Sequence, residues 1–272
     1  MRDCVIIKWG GSLITDKEIM CTADLDIINS LANVTKQCLD ENLDIVIVHG
    51  AGSFGHLRAK HWRLNEGLID SNNFYPQDDC KNQKQAVNIV RNEMLTLNGV
   101  VSKALQDIGL NVSIQPPHKW AKNTGSDFDG DIQSTFSNYQ DSICITFGDV
   151  VNCDGEKEFG ILSGDDLVVR LCKEIPNVKR LIFAVGGVDG ILKRPPSDDH
   201  PSDLIEEWSP GMNFEGSHNS EIDVTGGIGL KAARGSEVAD LGIEVLIVNG
   251  SYPDRVFSAC IGENVIGTKI IA

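Results

Sequence analysis

The sequence lacks several features that mark whole classes of protein. Its eight cysteines include no C-x-x-C pair, so we expect neither a zinc knuckle nor a thioredoxin-type redox site. Several cysteines lie within apolar runs, where a reduced thiol behaves as a small hydrophobic residue. No apolar stretch approaches the roughly 20 residues that span a bilayer, and the first residues have no signal-peptide layout. We therefore expect a cytoplasmic protein with reduced thiols.

Positive charge is also scarce. Lysine and arginine number 24 against 39 aspartates and glutamates, which gives a formal net charge of −15. Such a chain is not attracted to nucleic acid or to an anionic membrane, so we expect neither as a partner. If the substrate carries phosphate, a few local lysines and backbone N–H groups must attract it. The 272 residues, 41% of them hydrophobic, can form a sizeable core.

Short apolar runs alternate with stretches of helical periodicity. The runs are rich in β-branched residues and cover residues 5–7, 45–48, 143–145, 181–185 and 245–248. The helical stretches cover residues 24–41, 84–107 and 164–174. Unalternating apolar strands are typical of a parallel sheet that is covered on both faces. The sequence therefore predicts an open α/β sheet, with ligands beyond the carboxyl ends of its strands. Residues 116–131 and 193–220, which contain several prolines, are predicted to be loops.

Three glycine-rich turns are the most informative pattern. The first glycine turn, residues 8–12 (Lys8-Trp9-Gly10-Gly11-Ser12), directly follows an apolar run. Glycines let the backbone approach a phosphate, and successive N–H groups form an anion-binding concavity. A glycine turn alone can be merely a tight turn. Lys8 before it and Lys17 shortly after it favour phosphate binding.

The second glycine turn, residues 49–56, follows the run at 45–48. Its three glycines formally match G-x-G-x-x-G, the fingerprint of dinucleotide binding. That fingerprint requires an acidic residue at a strand end about 20 residues further on, and basic and polar residues follow here instead. His56 ends the turn and can donate a hydrogen bond to an anionic oxygen.

The third glycine turn, residues 223–231, feeds a helix in which Lys231 occupies the first turns, near the positive end of the helix dipole. The chain contains no Walker A motif and no protein-kinase H-R-D or D-F-G motif. Three separate glycine turns with lysines nonetheless predict a site for two phosphate-bearing ligands. Phosphoryl transfer needs mainly positioning and positive charge from a protein, which such turns supply.

The first two turns, together with residues 148–151, 163–166 and 223–231, resemble isopentenyl phosphate kinases of the amino acid kinase family. Fosfomycin-phosphorylating kinases share most of these motifs, so the substrate stays more open than the fold. The resemblance runs from residue 5 to about residue 250. It implies an open αβα sandwich with a mainly parallel central sheet, in a single domain over residues 1–272. Residues 1–150 would form the acceptor-binding and dimerisation lobe, and residues 151–272 the nucleotide-binding lobe.

The resemblance also implies roles for individual residues. ATP would phosphorylate isopentenyl phosphate by direct in-line transfer, with Mg²⁺ bound mainly through ATP, in a homodimer. The residues implied in catalysis are Lys8, Lys17, His56 and Lys231. Those implied in nucleotide binding are Lys8, Gly10, Gly11, Ser12, Gly52, Gly187, Gly227 and Lys231. Those implied in acceptor binding are Ala51, Gly52, Gly55, His56 and Gly148. No protein ligand to a metal is expected.

One departure from the family pattern stands at Gly187. The family commonly has Thr-Asp-Val-x-Gly after the fourth strand, and glycine occupies the aspartate position here. Asp189 comes two residues later with a different side-chain direction, so compensation by Asp165 or Asp166 is the alternative we consider. Two further interpretations stay open. The first alternative to an isopentenyl phosphate kinase is a kinase of the same fold for another phosphate, phosphonate or carboxylate. The second is a nucleotide- or metabolite-binding relative with weak catalysis.

The pocket for the acceptor tail is poorly defined by the sequence. The helical stretch at 84–105 is expected to supply apolar lining through Val87, Val90 and Met94. Helical stripes of this kind more often pack in a core, which is the competing interpretation for these three side chains.

Overall fold

A computed structural model describes residues 2–16, 18–69, 80–194, 203–212 and 227–272. An eight-stranded sheet with the order β10-β12-β11-β9-β1-β2-β6-β3 forms its centre. Its strands are β1 (Cys4–Trp9), β2 (Asp44–His49), β3 (Val112–Ile114), β6 (Ile143–Phe147), β9 (Val178–Val185), β10 (Glu207–Trp208), β11 (Glu244–Asn249) and β12 (Gly267–Ile270). From β11 to β3 every neighbouring pair is parallel, whereas β12 pairs antiparallel with β11. The predicted mainly parallel sheet is confirmed.

Helices cover both faces of this sheet. They are α1 (Gly11–Ile14), α2 (Leu25–Asp40), α3 (His56–His61), α4 (Gln83–Asp107), α5 (Pro117–Trp120), α6 (Ile132–Thr135), α7 (Gly164–Glu174), α8 (Ile228–Ala239) and α9 (Pro253–Ile261). The three stretches predicted from periodicity are α2, α4 and α7, and each begins after a side chain that caps it, Asp24, Asn82 or Ser163. Within the described residues, no helix combines the length and the apolar character that a bilayer span requires.

A second, four-stranded sheet has the order β5-β4-β7-β8. Its strands are β4 (Ala121–Lys122), β5 (Asp129–Gly130), β7 (Asp149–Asn152) and β8 (Phe159–Leu162). The prediction of a loop over residues 116–131 was therefore wrong for α5, β4 and β5. Two-residue strands are too short to show alternation in a sequence. The loop predicted over 193–220 likewise contains β10 in its described part, and residues 195–202 and 213–220 lie outside the described residues.

Strand β1 lies in the middle of the sheet, and all six of its residues are buried. Cys4 and Ile6 pack in the apolar cluster on the α7 and α8 face, whereas Val5 and Ile7 pack in the cluster on the α2, α4 and α9 face. Because side chains alternate along a strand, Lys8 falls on the α7 face. This alternation carries a charged side chain to the carboxyl edge of the sheet, where the glycine turns begin.

Candidate active site

A cleft of about 560 Å³ opens at the carboxyl edge of the central strands. One end is formed by the glycine turns that follow β1 and β2, with Lys8 and Lys231. The other end is apolar, and its side chains are Leu57, Ala59, Val90, Met94, Val150 and Ile161. The cleft thus joins a polar end to an apolar end at a size typical of small-molecule sites.

The first and second glycine turns touch each other through their backbones. A Cβ atom on Gly11 would lie 2.2 Å from the amide nitrogen of Gly52, and one on Gly50 would lie 2.5 Å from that of Gly11. Gly52 also has a φ of +53°, in the left-handed region that favours glycine. No larger side chain fits at this crossing without displacing one of the two turns.

Thr15 joins the same two turns by hydrogen bonds. Its hydroxyl donates to the carbonyl oxygen of Gly11 at 2.9 Å and accepts from the amide of Ser53 at 3.0 Å. Its side chain lies in the cleft wall and the residue is 4% exposed. This role of Thr15 was not predictable from the sequence, because only the fold brings residues 11 and 53 to the same side chain.

Asp165 lies between two lysines at the polar end. Its Oδ1 is 2.7 Å from the Nζ of Lys8, and its Oδ2 is 3.2 Å from the Nζ of Lys231. Asp165 belongs to the first turn of α7 and is fully buried. Asp166, the other candidate for compensation, instead accepts from Arg234 at 2.8 Å. Of the two carboxylates, Asp165 therefore organises the lysines.

The charge state of this trio follows from burial and proximity. Burial raises the pKa of the Asp165 carboxyl, but Lys231 and Lys8 outweigh it, and the pKa is lowered overall. Burial lowers the pKa of Lys8 to about 8, opposed by the attraction of Asp165 and reinforced by the repulsion of Lys231. At neutral pH the trio therefore has an ionised carboxylate and a Lys8 that is largely protonated.

Two helices begin at the cleft. His56 is the first residue of α3, is half-buried and lines the cleft. Gly227 precedes α8 without a capping side chain, and it lines the cleft with Ile228 and Lys231. Helix N-termini favour anions, because their first N–H groups have no partner within the helix. Each of these two helix starts therefore presents positive partial charge to the cleft.

The remaining predicted residues divide into three groups. Those that line the cleft are Gly10, Gly11, Ser12, Ala51, Gly52, Gly55 and Gly148. Lys17 and residues 223–226 lie outside the described residues. Gly187 has a φ of +80° and lies between Gly186 and Val188, which both line the cleft. The structure thus brings most of the predicted residues to one cavity.

Asp189 is directed away from the lysines. Its Oδ1 accepts from Asn249 at 3.1 Å and from Arg255 at 2.6 Å, on β11 and α9. This geometry agrees with the expectation that Asp189 does not replace a carboxylate at position 187.

Asp149 is a second buried carboxylate in the cleft wall, and the sequence analysis gave it no role. Its Oδ2 accepts from the backbone N–H of His118 at 3.1 Å and lies 2.6 Å from the ring Nδ1 of the same residue. Its Oδ1 accepts from the amide of Val150 at 2.8 Å. Asp149 thereby fastens the turn at Gly148 to α5. An Asp directly after Gly148 was the only sequence signal for this role.

The apolar end depends on α3 and α4. Val90 and Met94 line the cleft, as predicted, whereas Val87 packs in the same apolar cluster but is not part of the lining. A Cβ atom on Gly55 would lie 3.1 Å from Cγ1 of Val90, so glycine lets α3 begin close against α4. One turn of α4, facing the start of α3, therefore forms part of the apolar wall, and Val150 of β7 and Ile161 of β8 complete it.

The described residues contain no group of three or more His, Cys, Asp or Glu side chains arranged to hold a metal ion. Both carboxylate oxygens of Asp165 already face lysines.

The sequence matches the profile of the Amino acid kinase family over residues 3–249. This chain belongs to the amino acid kinase family. It is 31% identical to the isopentenyl phosphate kinase of Methanothermobacter thermautotrophicus, over 98% of each chain. It is 30% identical to the isopentenyl phosphate kinase of Thermoplasma acidophilum, over 98% of this chain and 99% of the relative. A solved isopentenyl phosphate kinase structure matches this amino acid kinase with a TM-score of 0.80 at 26% identity, over 98% of this chain and 99% of the other.

Proposed function

We propose that this amino acid kinase transfers the γ-phosphoryl group of ATP to isopentenyl phosphate and forms isopentenyl diphosphate. One observation carries the proposal: a single cleft joins a glycine-walled end with two lysines to an apolar end built for a short hydrocarbon. The full-length similarity to kinases named for this acceptor supports the same choice.

In this proposal the polar end stabilises the transferring group. Lys8 and Lys231 supply positive charge to phosphate oxygens, and Asp165 holds the two ammonium groups close to one another. An oxygen of the acceptor phosphate attacks the γ-phosphorus in line, and the bond from that phosphorus to the bridging oxygen of ADP breaks. No covalent enzyme intermediate forms, because positioning and charge suffice for this chemistry. We retain Lys17 as a further cation on sequence grounds.

The two substrates would share the backbone turns. The first glycine turn, together with Gly227 at the start of α8, would offer N–H groups to the nucleotide phosphates. The second glycine turn would hold the acceptor phosphate through His56 and the backbone of Ala51, with Gly148 opposite. The hydrocarbon would then extend towards Val90 and Met94.

We infer that Mg²⁺ enters this site bound to ATP, because the described residues provide no cluster of protein ligands for it. When bound, the cation neutralises charge on the nucleotide phosphates. Gly187 would contribute backbone only, next to the nucleotide.

We also propose a cytoplasmic homodimer that associates through residues 1–150. The eight cysteines all lie within the described residues and form no disulfide bond there, which suits a reducing compartment. Light scattering after gel filtration measures the assembly: a mass of twice 29.6 kDa is expected, and a single-chain mass would contradict the dimer.

An ATP-consumption assay with Mg²⁺ tests the function across isopentenyl phosphate, dimethylallyl phosphate, fosfomycin and N-acetylglutamate. Selective turnover of the isoprenoid monophosphates is expected, because only they combine a phosphate with an apolar tail that suits the wall of α4. Turnover of fosfomycin alone would instead support the activity of a fosfomycin-phosphorylating kinase. A reaction without acceptor is the control for uncoupled ATP hydrolysis.

A second candidate function, nucleotide or metabolite binding with weak catalysis, is favoured by the glycine at position 187. Gly187→Asp tests it. With φ at +80°, an aspartate there is strained by about 1 kcal/mol, and Asp165 already holds the lysines. We therefore expect kcat to change less than about threefold. A large rise in kcat would instead support a nucleotide- or metabolite-binding protein with weak catalysis.

A further inference from the structure

We propose that the hydroxyl of Thr15 is a positioning group that fixes the first and second glycine turns at one distance, and so sets the rate of phosphoryl transfer between the ligands they hold. The inference rests on the proposed function, in which one turn holds the donor and the other the acceptor. Thr15 itself need touch neither reacting phosphate.

The hydroxyl uses both of its hydrogen-bonding capacities on opposite turns. Its O–H group donates to the carbonyl oxygen of Gly11 at 2.9 Å, and its oxygen accepts from the amide of Ser53 at 3.0 Å. The residue is 4% exposed, so water is poorly placed to replace either bond. Removing the hydroxyl would leave one buried donor and one buried acceptor unpaired, each on a different turn.

The surrounding contacts make this link rigid. A Cβ atom on Gly52 would lie 2.0 Å from Oγ1 of Thr15 and 2.8 Å from its Cγ2, so the threonine fills the space beside that glycine. The turns also touch directly where Gly11 meets Gly52. One turn therefore cannot slide past the other without breaking a hydrogen bond or creating a clash.

In-line transfer depends on such spacing. Reacting atoms must be held about 3–3.5 Å apart, and a misplacement of about 1 Å costs roughly 100-fold in rate. A loosened link between the turns would change this distance while leaving the contacts of each ligand with its own turn intact. The expected signature is a fall in kcat with little change in either KM.

Thr15→Val removes the hydroxyl and keeps the side-chain shape. We expect kcat with isopentenyl phosphate to fall about 10- to 100-fold, and both KM values to stay within about threefold. Thr15→Ser keeps the hydroxyl and should retain kcat within about threefold of the native enzyme. Thr35→Val is the matched control: its hydroxyl is also buried and donates to the carbonyl oxygen of Leu31 at 2.9 Å within α2, and Thr35 does not line the cleft.

The outcomes separate this role from a merely structural one. A structural role would lower the melting temperature of Thr15→Val and Thr35→Val alike and leave kcat per folded molecule unchanged, which would overturn the proposal. A loss confined to one KM would overturn it too. Should Thr15→Val not fold, Thr15→Ala removes the same hydroxyl with more room, and the same selective loss of kcat is required. If the native enzyme itself does not phosphorylate isopentenyl phosphate, the proposed function fails before any variant is compared.

Discussion

The two ends of the cleft are built in different ways. The polar end consists of backbone turns at strand ends, with two lysines around one carboxylate. The apolar end consists of side chains from α3, α4, β7 and β8, which lie far apart in the sequence. Backbone turns that touch each other admit almost no substitution, whereas an apolar wall tolerates exchange for other apolar side chains of similar volume. The difference predicts that single substitutions will have large effects at the polar end and modest effects at the apolar end.

The largest effect is expected for Asp165→Asn. It leaves the buried Lys8 and the nearby Lys231 without their shared counter-charge. We expect kcat to fall by about 100- to 1000-fold, comparable to the loss of one preorganised transition-state group. The free energy of unfolding should fall by about 3 kcal/mol in a urea titration, as for a broken buried ion pair. Asp189→Asn, at a carboxylate directed away from the lysines, is the control, and near-native kcat in Asp165→Asn would contradict the role.

Gly52→Ala should rank next. Its φ of +53° and the 2.0 Å approach of a Cβ atom to Thr15 force the two turns apart. We expect at least a tenfold loss of kcat and a lower melting temperature. Gly99→Ala is the matched control, because it lies in α4 with nothing within 4 Å and should stabilise the protein by up to about 1 kcal/mol. If the two variants had the same kcat and the same melting temperature, the glycines of the turns would be no more constrained than a helix glycine.

The polar end should also limit activity at high pH, whereas the apolar end should not affect the pH dependence. Burial lowers the pKa of Lys8 to about 8, so the cation is present below that pH and lost above it. We expect kcat/KM for ATP to fall up to about tenfold per pH unit above pH 8. Lys8→Arg should be less active overall. Because its guanidinium stays charged, the fall in kcat/KM above pH 8 should disappear. A native profile that stays flat to pH 10 would contradict the assignment.

The smallest effect is expected at the apolar end. Val90→Ala should lower kcat/KM for isopentenyl phosphate about fourfold, since roughly 0.8 kcal/mol is lost per CH₂ contact, with no change in KM for ATP. Val87→Ala is the matched control, because Val87 packs in the same cluster without lining the cleft. Both variants should lose similar stability in thermal unfolding. If both also altered acceptor kinetics equally, the wall would not be specific to Val90.

The sequence predicts those parts of the fold and of the cleft that have a signal within one short stretch of residues. Strands β1, β2, β6, β9 and β11 were predictable as unbroken apolar runs, and α2, α4 and α7 because each has a helical period over enough residues. The three-residue parallel strand β3 was not predicted, because it is too short to give such a run. The glycine turns and Lys8 were predictable because strand, glycine and lysine are contiguous. Sequence could not choose between Asp165 and Asp166, since adjacent residues on a helix point about 100° apart and only the fold decides which meets the lysines.

Other features depend on contacts that no local pattern records. Thr15 joins residues 11 and 53, and Asp149 joins β7 to His118, so each role exists only after folding. The loop predicted over 116–131 concealed β4 and β5, whose two-residue strands are specified by pairing with β7 and with each other.

Helix α4 has 25 residues and is therefore about 37 Å long, yet Val90 and Met94 are its only residues in the described lining of the cleft. Further along, Leu97, Val101 and Leu105 anchor it in the apolar core beneath the sheet. A helix held along so much of its length resists sliding when a single side chain in the turn that lines the cleft is exchanged. We therefore expect a change of volume in this turn to change the choice of acceptor, so this turn is the place to vary for longer or shorter tails.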